Sequence, residues 1–250
     1  MSCVSTERRL IVNADDFGYS RGINRGIIRT HEQGIVTSTS LMVRWPYAAE
    51  AAAYAGENPR LGVGLHVDFG EWYYSRGWRL PRYVVVPEGS PAVAFEDELR
   101  RQLDSFRVLT GKEPSHIDSH QHLHFQEPLG GVFRRLCNAL RLPLRATPPV
   151  RFCGAFYGQG LKGRSFPERV SVSAFCTILA GLPSGTVEIG CHPSLEVDFE
   201  SVYAHERIIE CATLCDPVVA QCINEHGFQL SSFHGVDVML GVIERSFPLQ

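Results

Sequence analysis

Short apolar runs alternate with helical patterns at least six times along this chain, and no other feature narrows its fold as far. Leu10 to Asn13, Ser38 to Val43, Leu61 to Val67, Ser115 to Ser119, Leu142 to Ala146, Thr186 to Cys191 and Gln229 to Phe233 read as strands. Between them Arg21 to Gln33, Pro46 to Asn58, Phe95 to Thr110, Pro128 to Leu140 and Val172 to Leu182 read as helices. Tyr203 to Glu225 holds one helix, or two broken at Pro217. Gly34, Pro59 and Gly111 punctuate the first, second and third helices as stop signals. This rhythm predicts an α/β fold with parallel strands and crossover helices, either a barrel or an open doubly wound sheet. No Gly-rich phosphate loop opens the first helix, which argues against the nucleotide-binding versions. No linker, repeat or low-complexity tract divides the 250 residues, so residues 1–250 are expected to form a single domain.

Composition excludes several classes. The hydrophobic fraction is 44% and the charged fraction 20%, enough to build a core. A net charge of −3 and a pI near 6.4 give no support for a nucleic-acid partner. No apolar run approaches the roughly 20 residues of a membrane span. The polar start from Met1 to Arg9 carries no visible signal peptide, so a cytoplasmic location is the expectation. The eight cysteines include no C-x-x-C pair. Cys137, Cys176 and Cys191 read as small buried hydrophobes, Cys211 and Cys215 as bystanders on one helix, and all are expected to be reduced. Homo-oligomerisation is left open.

The stretch from Asp68 to Ala94 reads as a long irregular insertion. It carries Trp72, Tyr73, Tyr74, Trp78 and Tyr83 beside Arg76, Arg79 and Arg82. Such a loop over a barrel mouth suits stacking on a sugar ring, and equally suits a self-packed surface lid.

Chemistry concentrates in His116-Ile117-Asp118-Ser119-His120-Gln121-His122-Leu123-His124, which holds four of the ten histidines. In an extended chain every second side chain shares a face, so these histidines and Asp118 would all point one way. Imidazole and carboxylate are the ligands that borderline divalent metals prefer. The plainer alternative is a wet loop that happens to be His-rich. Other ionisable residues stand at the ends of predicted strands, the catalytic face of a parallel barrel: Asp15 and Asp16, His66, and His192 before Pro193. Taken singly, each fits a helix cap or a hydrogen-bonded structural histidine. Taken together they suggest a metal site in which one carboxylate binds the ion and another takes a proton from water. The residues leave open which of His116, His120, His122 and His124 is the ligand. Among the remaining histidines, only His234 follows a strand and could also reach the mouth. No G-x-S-x-G elbow occurs, and Cys191 and His192 are adjacent strand residues that diverge, so a side-chain nucleophile is disfavoured.

These pieces resemble the YdjC-like carbohydrate deacetylase family. The matching segments are Asn13-Ala14-Asp15-Asp16-Phe17-Gly18, Gly34-Ile35-Val36-Thr37-Ser38-Thr39-Ser40, Gly64-Leu65-His66, Pro114 to His124 and Cys191-His192-Pro193. They cover nearly the whole chain in the family's order. The resemblance implies a distorted (β/α) TIM-like barrel related to the polysaccharide deacetylases. It implies one divalent metal ion, Zn2+ or Mg2+, bound by Asp16, His66 and His120. It also implies that Asp15 is the general base and that His192 lies near the leaving group as acid or substrate ligand. Trp72, Tyr73 and His124 are then candidate substrate contacts, and Asp118 a partner that orients His120 or another imidazole. The expected reaction is hydrolysis of the acetamide of an N-acetylated sugar or glycoconjugate. Val67-Asp68-Phe69 and the aromatic insertion depart from the chitooligosaccharide-acting relatives, which bears on the substrate more than on the reaction. Two rival readings are a metal-dependent phosphoesterase on a similar barrel and a catalytically silent sugar-binding protein.

Overall fold

The computed structural model describes residues 7–236, so the amino-terminal stretch through Thr6, including Cys3, and residues 237–250 lie outside the description. Six strands form a parallel sheet in the order β6 (Ile117–Ser119), β3 (Gly62–Val67), β2 (Ser38–Leu41), β1 (Arg8–Phe17), β8 (Gly185–Cys191), β7 (Val150–Cys153). β9 (Phe228–Ser231) adds a seventh by pairing with Arg8–Ile11 of β1. Since β8 pairs with Arg8 through Ala14, β9 and β2 share the other side of β1, one at each end. The result is the expected α/β barrel in distorted form. α1 (Arg21–Glu32), α2 (Ala48–Glu57), α3 (Ala92–Thr110), α4 (Leu129–Leu140), α5 (Val172–Gly181), α6 (His205–Leu214) and α7 (Pro217–Glu225) supply the crossovers and outer layer. Pro217 does divide the last helical stretch in two. No helix among the described residues is long and apolar enough to cross a membrane.

Side-chain alternation along β1 builds the two faces of the wall. Leu10, Val12 and Ala14 join the main apolar core with Ile23, Ile27, Leu65, Phe106, Phe175 and Ile189. Ile11 takes the other face and packs with Val150 and Phe233. Asn13 and Asp15 follow on that inner face, where Asn13 Nδ2 donates to Asp15 Oδ1 (2.8 Å) and to Ser40 Oγ (2.8 Å). The barrel therefore rises from an apolar floor into a buried polar upper layer. Gly64 lets His116 into that interior, since a Cβ there would lie 2.3 Å from the imidazole.

Five sequence expectations change. Leu142 to Ala146 is not a strand: Leu144 makes one bridge to Ile117, and Ala146 turns the chain with φ of 62°. The neighbouring strand is β7 instead. The insertion is not irregular, because β4 (Gly70–Ser75) and β5 (Trp78–Val84) form an antiparallel hairpin. Arg76 (φ 49°) and Gly77 (φ 84°) make its two-residue turn, as the strand twist favours. The His-rich run does not stay extended. β6 ends at Ser119, and a 3-10 segment over His120–Phe125 contains Gln121 and His122 in left-handed backbone, so alternation stops there. Cys176 on α5 and Cys222 on α7 are joined by a disulfide rather than reduced, because the two helices bring their Cα atoms to 5.9 Å. His234 lies beside the amino-terminal start of β3, its Nε2 3.2 Å from the Leu61 carbonyl, and not at the mouth.

Candidate active site and metal centre

β1 delivers both adjacent carboxylates by breaking its own register. Asp15 continues the inner face, while Asp16 adopts φ of 71° within an irregularity between Ala14 and Phe17. The chain thus begins to turn at Asp16 itself, ahead of Gly18 (φ 93°). β3 contributes His66 and β6 Asp118, which face each other across their pairing register. His120 begins the segment just beyond β6.

Asp16, His66 and His120 meet in one group. His66 Nε2 lies 3.3 Å and His120 Nδ1 3.0 Å from the same Asp16 Oδ1. The outer Nδ1 of His66 is 2.8 Å from Asp118 Oδ1, so Asp118 orients His66. Ser40 Oγ in turn donates to Asp118 Oδ2 at 2.8 Å. This arrangement suits a divalent cation: two imidazole nitrogens and a carboxylate oxygen converge, and one imidazole is backed by a carboxylate. Electrostatics points the same way. Burial by itself would lower the His66 pKa, but Asp118 and Asp15 raise it to about 10. For His120 burial is likewise overcome, chiefly by Asp16 and then Glu71, and the pKa stands well above its usual value. The pocket is built to hold positive charge at Asp16.

Asp15 takes a different environment. Arg145 clamps it through Nη1 to Oδ2 and Nη2 to Oδ1, both at 2.7 Å. The same guanidinium reaches Asp118 (2.7 Å) and Glu188 (2.8 Å), and its side chain has no exposed surface. Burial would raise the Asp15 pKa, but the Arg145 charge and hydrogen bonds hold it at about 2. Asp15 is therefore ionised at neutral pH. Burial would raise the Asp16 pKa too, but Arg207, paired with Oδ2 at 2.5 Å, together with His120 and His66 keeps it well below the carboxylate range. His192 brings Nε2 to 3.8 Å from Asp15 Oδ2. Its burial lowers the pKa to about 4, so the resting imidazole is neutral. The partly open members of the constellation are His120 and His192, with side chains 12% and 17% exposed.

The other histidines of the run disperse. His116 is buried between Ser40 and Ser115 and stacks on Phe233 at 3.9 Å. His122 packs against Phe125 and Phe152. His124 is only 3% exposed, its Nδ1 2.7 Å from Ser119 Oγ and its ring against Phe125 and Phe133, so it presents no surface to a sugar. Trp72 and Tyr73 lie on β4, half-buried, with Arg79 4.6 Å over the first ring and Arg82 5.2 Å over the second. One face of each ring is thus already occupied by a guanidinium.

Sequence reasoning missed Arg145, Arg207 and Glu71. Arg145 had a signal, since it stands near the end of an apolar run, as the chosen residues do. Arg207 lies on α6 and carries no such mark.

The profile of the YdjC-like protein family matches residues 9–225. The chain is similar to a carbohydrate deacetylase of Geobacillus stearothermophilus, with 34% identity covering 90% of this chain and 97% of that protein. It is also similar to a chitooligosaccharide deacetylase of Serratia marcescens, with 31% identity covering 91% and 98%. Among solved structures, an Enterococcus faecalis protein described as a candidate cellobiose-phosphate cleavage protein superposes with a TM-score of 0.76. Its sequence identity is 26%, and the match covers 93% of this chain and 100% of that one. A family 4 carbohydrate esterase of Streptomyces lividans, in complex with acetate, shares the fold at a TM-score of 0.54 and 13% identity, over 94% and 98% of the two chains.

Proposed function

This chain belongs to the YdjC-like family, and on that footing we propose that it is a carbohydrate N-deacetylase that hydrolyses the acetamide of an N-acetylated amino sugar. The relatives named as carbohydrate and chitooligosaccharide deacetylases support the substrate class. The observation that carries the mechanism is the approach of His66 Nε2 and His120 Nδ1 to one oxygen of Asp16, beside a second, ionised aspartate. A divalent cation held by Asp16, His66 and His120 would polarise the acetyl carbonyl and supply a water of lowered pKa, and the His2Asp set suits zinc ahead of magnesium.

Asp15 accepts the proton as water adds to the carbonyl. Arg145 fixes both of its oxygens, so the carboxylate needs no reorientation at that moment. Collapse of the tetrahedral adduct breaks the C–N bond, and the amine needs a proton. His192, 3.8 Å from Asp15, completes the path from the carboxylate to the departing nitrogen. Acetate and a free amino sugar leave. Trp72 and Tyr73 contribute ring edges and their remaining faces to the sugar.

Acetate release from N-acetylglucosamine, chitobiose and chitotriose tests the reading, using protein stripped of metal and then supplied with zinc or magnesium. Activity should return with the ion and be lost in Asp16→Asn. Absence of acetate from every sugar with the loaded protein would overturn the deacetylase assignment.

A further inference from the structure

His120 turns its inner Nδ1 to Asp16, which leaves Nε2 facing the other way. That Nε2 is buried and makes no hydrogen bond. A buried donor without an acceptor costs free energy, so the groups around it bear on what it is for. Glu71 Oε2 lies 3.8 Å from it. Glu71 stands on β4 of the aromatic hairpin, with a side chain 13% exposed. It is held there by Arg82 Nε on Oε1 (3.1 Å) and by the Tyr19 hydroxyl on Oε2 (3.4 Å). A second tie joins the same two segments. Gln121, the residue after His120, accepts from the Trp72 backbone N–H (3.0 Å) and donates to the Trp72 carbonyl (2.7 Å). The amide side chain thereby grips the hairpin at the residue next to Glu71.

The two imidazoles are thus built alike. The inner nitrogen of each faces Asp16 Oδ1, and the outer nitrogen of each faces a carboxylate, Asp118 for His66 and Glu71 for His120. They differ in origin. Asp118 belongs to the barrel wall, whereas Glu71 belongs to the hairpin. Resting on the metal-centre reading above, we infer that Glu71 is a positioning residue that sets the tautomer and orientation of His120. The hairpin carrying Trp72 and Tyr73 is then coupled to the cation site through Glu71 and Gln121. With Nδ1 as the ligand atom, His120 keeps its proton on Nε2 and donates it to Glu71. That hydrogen bond requires the 3.8 Å separation to shorten by somewhat under ~1 Å, within reach of a small side-chain rotation.

Calorimetric titration of the metal-free protein with zinc, together with nitrogen NMR of the imidazoles, tests this without using turnover. The wild type should bind one ion and show His120 as the Nε2–H tautomer. Glu71→Ala should weaken binding by about ten- to a hundredfold, the usual effect of removing the carboxylate behind a ligating imidazole. Glu71→Gln, which keeps an acceptor and the Arg82 contact, should lose less. Gln121→Ala should also weaken binding, and combined with Glu71→Ala its effect should be less than multiplicative because both act through one placement. Wild-type affinity in Glu71→Ala, or a His120 proton on Nδ1, overturns the inference while leaving the metal centre standing. Equal behaviour of wild type and Asp16→Asn would instead bring down the centre itself, and this inference with it.

Discussion

At the scale of single residues the site depends on which charge each carboxylate is given. Asp15 and Asp16 are neighbours in sequence, yet Arg145 takes both oxygens of one and Arg207 a single oxygen of the other. Asp16 Oδ1 is left to the imidazoles. Asp15→Asn should therefore lower turnover by about a hundred- to ten-thousandfold while zinc stoichiometry, read by calorimetry, stays at the wild-type value. Full activity in that variant would remove Asp15 from the reaction. Arg145→Met should be costly for a different reason. It leaves Asp15, Asp118 and Glu188 buried without their shared cation, a loss of about 3–5 kcal/mol in urea unfolding. An unchanged urea midpoint would mean that the carboxylates simply take up protons. Much of this was legible in the residues themselves. Asp15, Asp16, His66 and His192 stand at strand ends, where a parallel barrel places its chemistry. The choice among the four histidines of the run was not legible in the residue pattern and came from the family resemblance, because it depends on where β6 stops.

At the scale of elements, local pattern set the strands well where packing agreed with it. It failed where glycine and proline turned the chain. The Arg76-Gly77 turn made a hairpin from an apparent loop, with Pro81 in β5 obscuring the strand pattern. The Gly62-Val63-Gly64 approach of β3 illustrates the reverse, a sequence cue with a packing cause. Gly64→Ala should destabilise by about 1–3 kcal/mol, because the added methyl meets the His116 ring, which Phe233 backs. Gly56 on α2 has open space at its Cβ position, and Gly56→Ala should instead stabilise by about 0.4–1 kcal/mol. Thermal unfolding of the two variants checks both signs, and a destabilising Gly56→Ala would contradict the account of that helix.

At the scale of the whole molecule, the barrel buries an ionisable layer whose members pull stability in opposite directions with pH. Burial lowers the His116 pKa to about 3, below the roughly 6.5 of an unfolded chain. Between those values the unfolded state binds a proton that the native state refuses, so this ring's contribution is present above pH 6.5 and is lost as pH falls. Burial raises Glu188 to about 7 and Glu210 to about 8, so their contributions are present at low pH and are lost as pH rises through those values. The sum flattens the profile, but a comparison isolates the ring. The stability of wild type relative to His116→Asn should shrink by about 1.4 kcal/mol per pH unit below 6.5, as measured by urea unfolding from pH 7 to pH 4. A constant difference would show that His116 is charged in the fold.

The amino-acid order alone determined the α/β rhythm, the strand ends on which chemistry could sit and the residue types able to hold a cation, because these depend on local periodicity and ligand preference. Local pattern did not separate His120 from His116, His122 and His124; the family resemblance pointed to it, and the tertiary structure is what brings that ring to Asp16 and His66. Only the tertiary structure decided that Arg145 reaches Asp15 across 130 positions and that Glu71 comes to lie behind His120. Such pairings depend on register and on where a strand yields to a turn, and they are settled by the competition for buried partners in the assembled barrel.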